Sequence, residues 1–153
     1  MRAAQTTTDL PASAAQLRLA ITRTARRLRQ EAAGDLSPSA TAALATAERH
    51  GPLTPSELAD LERVSRPSAT RSIGCLAERG LVARTPDPAD GRSALVAVTP
   101  AGRDALRRLR GRKNAYLSKR MRRLADEDVE TLSRAADILE RLLDEDGLRG
   151  ERG

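Results

Sequence analysis

The sequence predicts a mainly α-helical chain with one small β-hairpin before its last two helices. Over most of its length, apolar residues recur every three or four positions, which is helical spacing. Capping residues followed by proline, and glycines at the far ends, mark the helix boundaries. Only between Leu81 and Thr99 does the period change to two, as in strands. At 153 residues, a single domain is expected.

Four helices are predicted before the hairpin. Their expected limits are Ser13 to Ala33, Ser37 to Gly51, a short helix opening at Thr54, and Ser65 to Gly80. The short helix begins with a capping box, in which the Thr54 hydroxyl accepts the Glu57 amide and the Glu57 carboxylate returns to Thr54.

The hairpin and two further helices complete the prediction. The strands are Leu81–Thr85 and Ser93–Thr99, joined by a turn rich in proline, aspartate and glycine. A fifth helix opens at Thr99-Pro100 and runs to about Leu124, and acidic residues 126–128 open a sixth. Residues 1–8 and 147–153 are expected to be flexible tails.

Charge and composition restrict the possible partners. The formal net charge of +6 favours polyanions, nucleic acid first and an anionic membrane second. Tyr116 is the only aromatic residue, so base-stacking platforms for single strands are lacking and duplex DNA fits better. A single cysteine and the lack of a long apolar run suit a cytoplasmic protein.

The sequence contains few of the residue patterns that enzymes use for catalysis. His50 is the only histidine, and the sequence shows neither a glycine-rich phosphate loop nor a metal-ligand cluster. We therefore expect no enzyme activity, no cofactor and no metal site. A nuclease is the enzymatic alternative, but clustered metal-binding carboxylates are missing.

The order of helix, short turn, helix and hairpin defines a winged helix-turn-helix. On a helical wheel of the fourth helix, Ala69, Ile73 and Leu76 form the core face. Pro67, Ser68, Arg71, Gly74 and Cys75 fall largely opposite, with Thr70 at the flank. The short polar residues would let this helix enter a major groove. The candidate DNA-binding residues here are Ser65, Arg66, Pro67, Ser68, Thr70 and Arg71, and Arg84 at the wing base is a weaker phosphate candidate. An ordinary solvated helix face is the alternative.

The stretch from Glu57 to Arg84 resembles the MarR family of regulators, with its pattern "ELA…VS…T…L…L…GLV.R". Asp90-Gly91-Arg92 follows at the wing, and the family's VTPAG pattern, here residues 98–102, leads into the next helix. The resemblance covers about Leu36 to Leu143. One departure is that Glu62-Arg63 stands in the helix-helix turn where glycine is usual, so either the turn forms without glycine or the third helix is longer.

The resemblance implies a homodimeric regulator, mainly a repressor, on a pseudo-palindromic DNA operator, with a small-molecule effector possible. In the family, the wing arginine, here Arg92, enters the minor groove, and the aspartate two residues earlier, here Asp90, steadies it. The alternative is a turn-capping Asp90 beside a merely exposed Arg92. The resemblance implies a phenolic or aromatic-acid effector, but this chain has almost no aromatic residues to form the wall of such a site. An aliphatic effector or no effector is the alternative.

The apolar stripes of the first and last helices are the expected dimer interface. The candidate residues are Leu17, Ile21, Leu28, Leu132, Leu139 and Leu143. Residues 10–33 and 103–146 are thus assigned to dimerisation and 34–100 to DNA binding. For the last helix, an intrachain core is the alternative. Two wider alternatives also stay open: a sequence-tolerant architectural DNA-binding protein, and an oxidation switch at Cys75.

Overall fold

The computed structural model describes residues 9–149, and side chains as far as residue 144. Six helices and two strands occur in this part of the chain. They are α1 Leu10–Glu31, α2 Pro38–His50, α3 Pro55–Glu62, α4 Arg66–Glu78, β1 Val82–Pro86, β2 Ala94–Val98, α5 Pro100–Met121 and α6 Asp126–Arg149. The chain divides into two compact units, residues 1–114 and 115–153, with the boundary inside α5. The predicted fold class is confirmed.

Short-range capping explains where the first four helices begin. The side chains of Asp9, Ser37, Thr54 and Ser65 each accept a hydrogen bond from a backbone amide three residues later. In each helix proline occupies one of the first two positions, where its missing N–H costs nothing. The predicted capping box of α3 is present in full. Because Asp9 is the cap, α1 starts three residues before the predicted Ser13.

The hairpin is antiparallel and pairs Val82 with Val98 and Pro86 with Ala94. Leu53, in the connection before α3, adds an isolated bridge to Val96, with N···O distances of 3.1 and 2.8 Å. The sequence did not predict this bridge. It ties the hairpin to the entry of the helix-turn-helix.

The core of the first unit lies between α2, α3, α4, the hairpin and the start of α5. Its largest fully buried side chains are those of Leu44, Leu58, Ile73, Leu76 and Val96. No polar or charged residue is buried among the described residues. Burial of apolar surface from these elements therefore stabilises the first unit.

The hairpin is also attached to the ends of its neighbouring helices. Thr99 donates its hydroxyl hydrogen to the Gly80 carbonyl at 2.6 Å, and its hydroxyl oxygen accepts the Gly102 amide at 3.1 Å. Gly102 is buried, and a Cβ built on it would lie 2.1 Å from the Leu81 carbonyl oxygen. A side chain at this position would push α5 away from the segment that leads from α4 into the wing.

Two predicted boundaries at the C-terminal side were wrong. α5 ends at Met121, three residues before Leu124, and α6 continues to Arg149, so residues 147–149 are helical and not part of a frayed tail. The acidic start of α6 is as predicted. The other predicted tail residues, 1–8 and 150–153, lie outside the described residues. No helix in the described part is long and apolar enough to cross a membrane.

Candidate nucleic-acid interface

The turn between α3 and α4 forms without glycine. α3 ends at Glu62, and Arg63 adopts a left-handed conformation with φ 52° and ψ 44°. The Val64 amide then donates to the Ala59 carbonyl at 3.0 Å, which closes the helix end. Of the two possibilities left open by the sequence, the turn shaped without glycine is the one observed.

The faces of α4 follow the helical wheel closely. Ala69, Ile73 and Leu76 are buried, as predicted. The six candidate DNA-binding residues of this region, Ser65, Arg66, Pro67, Ser68, Thr70 and Arg71, are all exposed. Gly74 and Cys75 are half-buried and therefore less accessible than the six candidate residues. The exposed surface is thus concentrated in the N-terminal half of the helix.

Hydrogen bonds at the start of α4 order two of the hydroxyl groups. The Ser65 oxygen accepts the Ser68 amide at 3.3 Å, and its hydroxyl donates to the Ser68 oxygen at 2.9 Å. Ser68 therefore keeps its own hydroxyl hydrogen for an external acceptor. The guanidinium groups of Arg66 and Arg71 make no hydrogen bond or ion pair with any residue in the described part of the chain.

The wing tip is a compact turn built on aspartate side chains. Asp90 accepts the backbone amide of Arg92 at 3.0 Å and the Ser93 hydroxyl at 3.4 Å. Asp87 accepts the Ala89 amide at 2.9 Å. The Arg92 guanidinium has no ion-pair partner among residues 9–144, so Asp90 orders the backbone of Arg92 and not its side chain. This is the turn-capping geometry that the sequence left as the alternative.

α4 and the hairpin together present four arginines. None of the four forms an ion pair with an acid among the described residues. Arg66 and Arg71 lie on α4, Arg84 on β1 opposite Val96, and Arg92 at the wing tip, and all four are exposed. The N-terminal end of α4 adds the positive end of its dipole, while Pro67 has no N–H and the Ser68 amide is bonded to the Ser65 hydroxyl. Chemically, this surface can bind phosphates and donate to guanine edges.

The six candidate dimer residues are not buried within the chain. Leu17 and Ile21 of α1 are 45% and 43% exposed, and Leu28 is half-buried. On α6, Leu132 and Leu143 are 48% and 66% exposed, and Leu139 is half-buried. Two further apolar residues of α6, Ile138 and Leu142, are also exposed and were not predicted from the sequence. Both residues lie outside the apolar stripe of α6 that contains Leu132, Leu139 and Leu143, and only that stripe was considered.

A cleft in the first unit was also missed. Its volume is about 960 Å³, and residues of α1, α2 and α5 line it together with the segment after α4. No short motif signals it, because the lining residues are spread from Arg29 to Lys113. No cluster of three or more potential metal-binding residues occurs in the described part of the chain.

The helix-turn-helix formed by α3 and α4, the core beneath α4 and the hairpin that follows together define a winged helix-turn-helix protein. The chain belongs to the MarR family of HTH-type transcriptional regulators, because the MarR family model matches residues 36–94 and full-length relatives are similar. An uncharacterized HTH-type transcriptional regulator of Mycobacterium leprae is 39% identical over 133 residues, covering 86% of this chain and 93% of the relative. An HTH-type transcriptional regulator of Mycobacterium tuberculosis is 38% identical over the same shares.

Solved structures agree on the fold. A putative transcriptional regulator from Pseudomonas aeruginosa superposes with a TM-score of 0.81 at 31% identity, covering 90% of this chain and 97% of that one. Wild-type MarR from E. coli superposes with a TM-score of 0.67 at 22% identity, covering 82% and 95%. The protein is accordingly a DNA-binding regulator of transcription and not an enzyme.

Proposed function

We propose that the protein acts in the cytoplasm as a homodimeric repressor on a pseudo-palindromic operator. The observation that carries this proposal is the exposed N-terminal half of α4, where short polar side chains surround two arginines without partners. Such a surface can enter a major groove without steric conflict, and unpaired guanidinium groups give up no internal partner on binding.

Within this proposal, each exposed residue has a distinct task. Arg71 donates two of its guanidinium N–H groups to the O6 and N7 atoms of a guanine. Arg66 and the hydroxyls of Ser65 and Ser68 bind phosphates or base edges at the helix start, while Pro67 and Thr70 pack against the groove. Arg84 binds a backbone phosphate.

The wing acts in the neighbouring minor groove. Arg92 inserts its guanidinium, attracted by the negative potential of a narrow groove. Asp90 holds the turn from which Arg92 projects, through the backbone amide at 3.0 Å.

Dimerisation places two copies of α4 on one face of the DNA. In a monomer, the exposed leucines of α1 and α6 would leave apolar surface in contact with water. This exposure costs a free energy of about 25 cal/mol for each Å². Pairing of these helices across a two-fold axis buries that surface and sets the recognition helices about 34 Å apart, one turn of B-DNA. A bound effector that changes this spacing would release the operator without touching a DNA-binding residue.

Selection from a random duplex pool tests the proposal. We expect the selected sites to share an inverted repeat with half-sites about one helical turn apart, bound at least about a thousandfold more tightly than random duplex. The sequence-tolerant architectural alternative predicts no enriched motif and equal competition by random duplex. That outcome would overturn the proposal.

A further inference from the structure

One residue at the base of the hairpin bonds to three parts of the chain. Thr99 follows the last residue of β2 and precedes the first residue of α5. Its hydroxyl donates to the Gly80 carbonyl at 2.6 Å and accepts the Gly102 amide at 3.1 Å, and its backbone amide donates to the Leu81 carbonyl at 3.1 Å. We call these three hydrogen bonds the Thr99 junction. They connect the end of the hairpin to the segment after α4 and to the first turn of α5.

The two carbonyl groups that accept from Thr99 belong to the segment that leaves the recognition helix. Residues 79–81 form the whole connection between α4 and β1. In this connection Gly80 has a φ of 68°, and the Leu81 amide donates to the Leu76 carbonyl of α4 at 2.9 Å. The Thr99 junction therefore bonds the end of the hairpin to a segment that is itself bonded to α4.

The start of α5 packs tightly against the same segment. A Cβ on the buried Gly102 would lie 2.1 Å from the Leu81 carbonyl oxygen and 2.8 Å from the Val98 side chain. The Thr99 carbonyl also accepts the Arg103 amide of α5 at 3.0 Å. Hydrogen bonds and close packing thus meet at the base of the hairpin, where a small change of angle has its largest effect at the tip.

The far end of the hairpin has little support of its own. Residues 88–92 at the wing tip are all exposed. The Leu53 bridge attaches β2 to the segment before α3, whereas the Thr99 junction attaches it to the segment after α4. From Val98 back to Arg92 the chain spans at most about 20 Å, so a tilt of about 10° at the base moves the tip by up to about 3 Å. Such a shift is as long as a hydrogen bond and would misplace the Arg92 guanidinium.

We propose that Thr99 is a positioning residue that fixes the angle between α4 and the hairpin. With this angle fixed, Arg71 of α4 and Arg92 of the wing reach neighbouring grooves of the duplex in one register, and less conformational freedom is lost on binding. Thr99 acts through these two arginines and not by contact with DNA. This inference rests on the proposed function, in which both arginines bind the operator.

An isosteric substitution separates the hydroxyl from the shape of the side chain. Thr99→Val removes both side-chain hydrogen bonds and nearly keeps the volume, whereas Thr99→Ser keeps both hydrogen bonds. We expect Thr99→Val to weaken binding to a selected operator duplex about tenfold and Thr99→Ser to bind within about twofold of the wild type, because a hairpin of variable angle must be ordered on binding. Wild-type affinity of Thr99→Val, or an equal loss in both variants, would overturn the proposal.

The control for a simple loss of stability is a second helix cap. Ser37→Ala removes the hydroxyl that accepts the Ala40 amide at 3.1 Å at the start of α2, and it leaves the Thr99 junction intact. We expect Ser37→Ala and Thr99→Val both to lower the Tm measured by circular dichroism. At a temperature where both variants are folded, Ser37→Ala should bind the operator like the wild type. A loss of affinity equal to that of Thr99→Val would mean that removal of any cap has this effect, which would overturn the positioning role.

A double-mutant cycle tests the coupling to the wing. We expect Arg92→Ala to cost less than half as much in log affinity when it is added to Thr99→Val as when it is made in the wild type, since the loosened wing has already lost part of that interaction. Arg71→Ala should cost the same in both backgrounds, because α4 keeps its own place in the core. An undiminished effect of Arg92→Ala in the Thr99→Val background would overturn the proposal.

A measurement without DNA separates this inference from the proposed function. Spin labels are attached through Glu78→Cys on α4 and Ala89→Cys in the wing, both at exposed positions, in a Cys75→Ser background. Pulsed electron–electron resonance on labelled protein diluted into unlabelled protein then gives the distance distribution between the two elements. We expect one narrow distribution for the protein with Thr99 and for Thr99→Ser, and a broader or shifted one for Thr99→Val.

The two failures are therefore distinguishable. An unchanged distance distribution in Thr99→Val would overturn the positioning role of Thr99, whatever the operator affinities are. If the wild type showed no preference for any duplex, the proposed function would fail, while a broadened distribution in Thr99→Val would still support the control of the hairpin angle by the Thr99 junction.

Discussion

The Asp90 carboxylate accepts the backbone amide of Arg92 at 3.0 Å, while the Arg92 guanidinium projects into solvent. The aspartate therefore stabilises the shape of the wing tip and leaves the arginine charge unneutralised. A pair bonded in this way is expected to work as one unit on DNA, because the turn decides where the guanidinium points.

The first prediction concerns this pair. Arg92→Ala should weaken operator binding and make the slope of log affinity against log salt shallower by about one for each phosphate-equivalent interaction removed from a subunit. Asp90→Ala should weaken binding less, since it loosens the turn but also removes a negative charge near DNA. In the double variant, Asp90→Ala should add little to Arg92→Ala. Anisotropy titrations over a salt series measure all four proteins, and strictly additive losses would show that the two residues act separately.

The second prediction concerns sequence preference. Arg71→Ala should cost about 1–3 kcal/mol per half-site and relax the preference at one symmetric base pair. Arg103→Ala, also at an exposed arginine, is the control for general loss of charge and should keep the preference at every base pair. Competition with operators substituted at single positions measures both. A loss for Arg71→Ala that is uniform over all sequences would indicate a phosphate contact only.

The third prediction concerns dimerisation. Leu132→Asp combined with Leu139→Asp places charge in the apolar seam of α6 and should yield monomers or unfolded chain. The combined variant Arg134→Asp and Arg141→Asp introduces the same aspartates roughly on the opposite side of the helix and should remain dimeric. Sedimentation at micromolar concentration distinguishes them. A monomeric wild type, or a dimer that survives the seam substitutions, would contradict an intermolecular role for these leucines.

The fourth prediction compares two glycines of α5. Gly102→Ala should lower the free energy of unfolding by about 1–3 kcal/mol or more, because the new Cβ meets the Leu81 carbonyl and the Val98 side chain. Gly111→Ala, with no atom within 4 Å of the new Cβ, should instead raise it by about 0.5–1 kcal/mol. Urea unfolding followed by circular dichroism measures both. A Gly102→Ala variant as stable as the wild type would contradict the close packing at Gly102.

The fifth prediction concerns the turn before α4. Arg63→Gly should raise the free energy of unfolding by about 0.5–1 kcal/mol, because glycine adopts φ 52° without the strain of a side chain. Arg71→Gly, at an exposed position in the interior of α4, should lower it by a similar amount. Thermal unfolding of both variants provides the comparison. A destabilised Arg63→Gly would indicate that the arginine side chain makes interactions that outweigh its backbone strain.

Local chemistry made most of the fold predictable. Ser37 and Thr54 were identified as helix starts because a capping oxygen bonds an amide only three residues away. The core face of α4 was predictable from Ala69, Ile73 and Leu76 alone, since helical geometry puts them on one side. The candidate DNA-binding residues came from that same wheel and from the resemblance at the wing.

Caps, turns, periodicities and the buried face of each helix depend on residues a few positions apart, and the order of amino acids is enough to predict them. Three features became visible only in the packed fold. They are the bridge from Leu53 to Val96, the close approach of Gly102 to the Leu81 carbonyl, and the half-burial of Cys75. It also brought Arg29, Arg79 and Arg112 to one cleft. Neighbours along the chain do not reveal such contacts, because the packing of separate elements decides which distant residues meet.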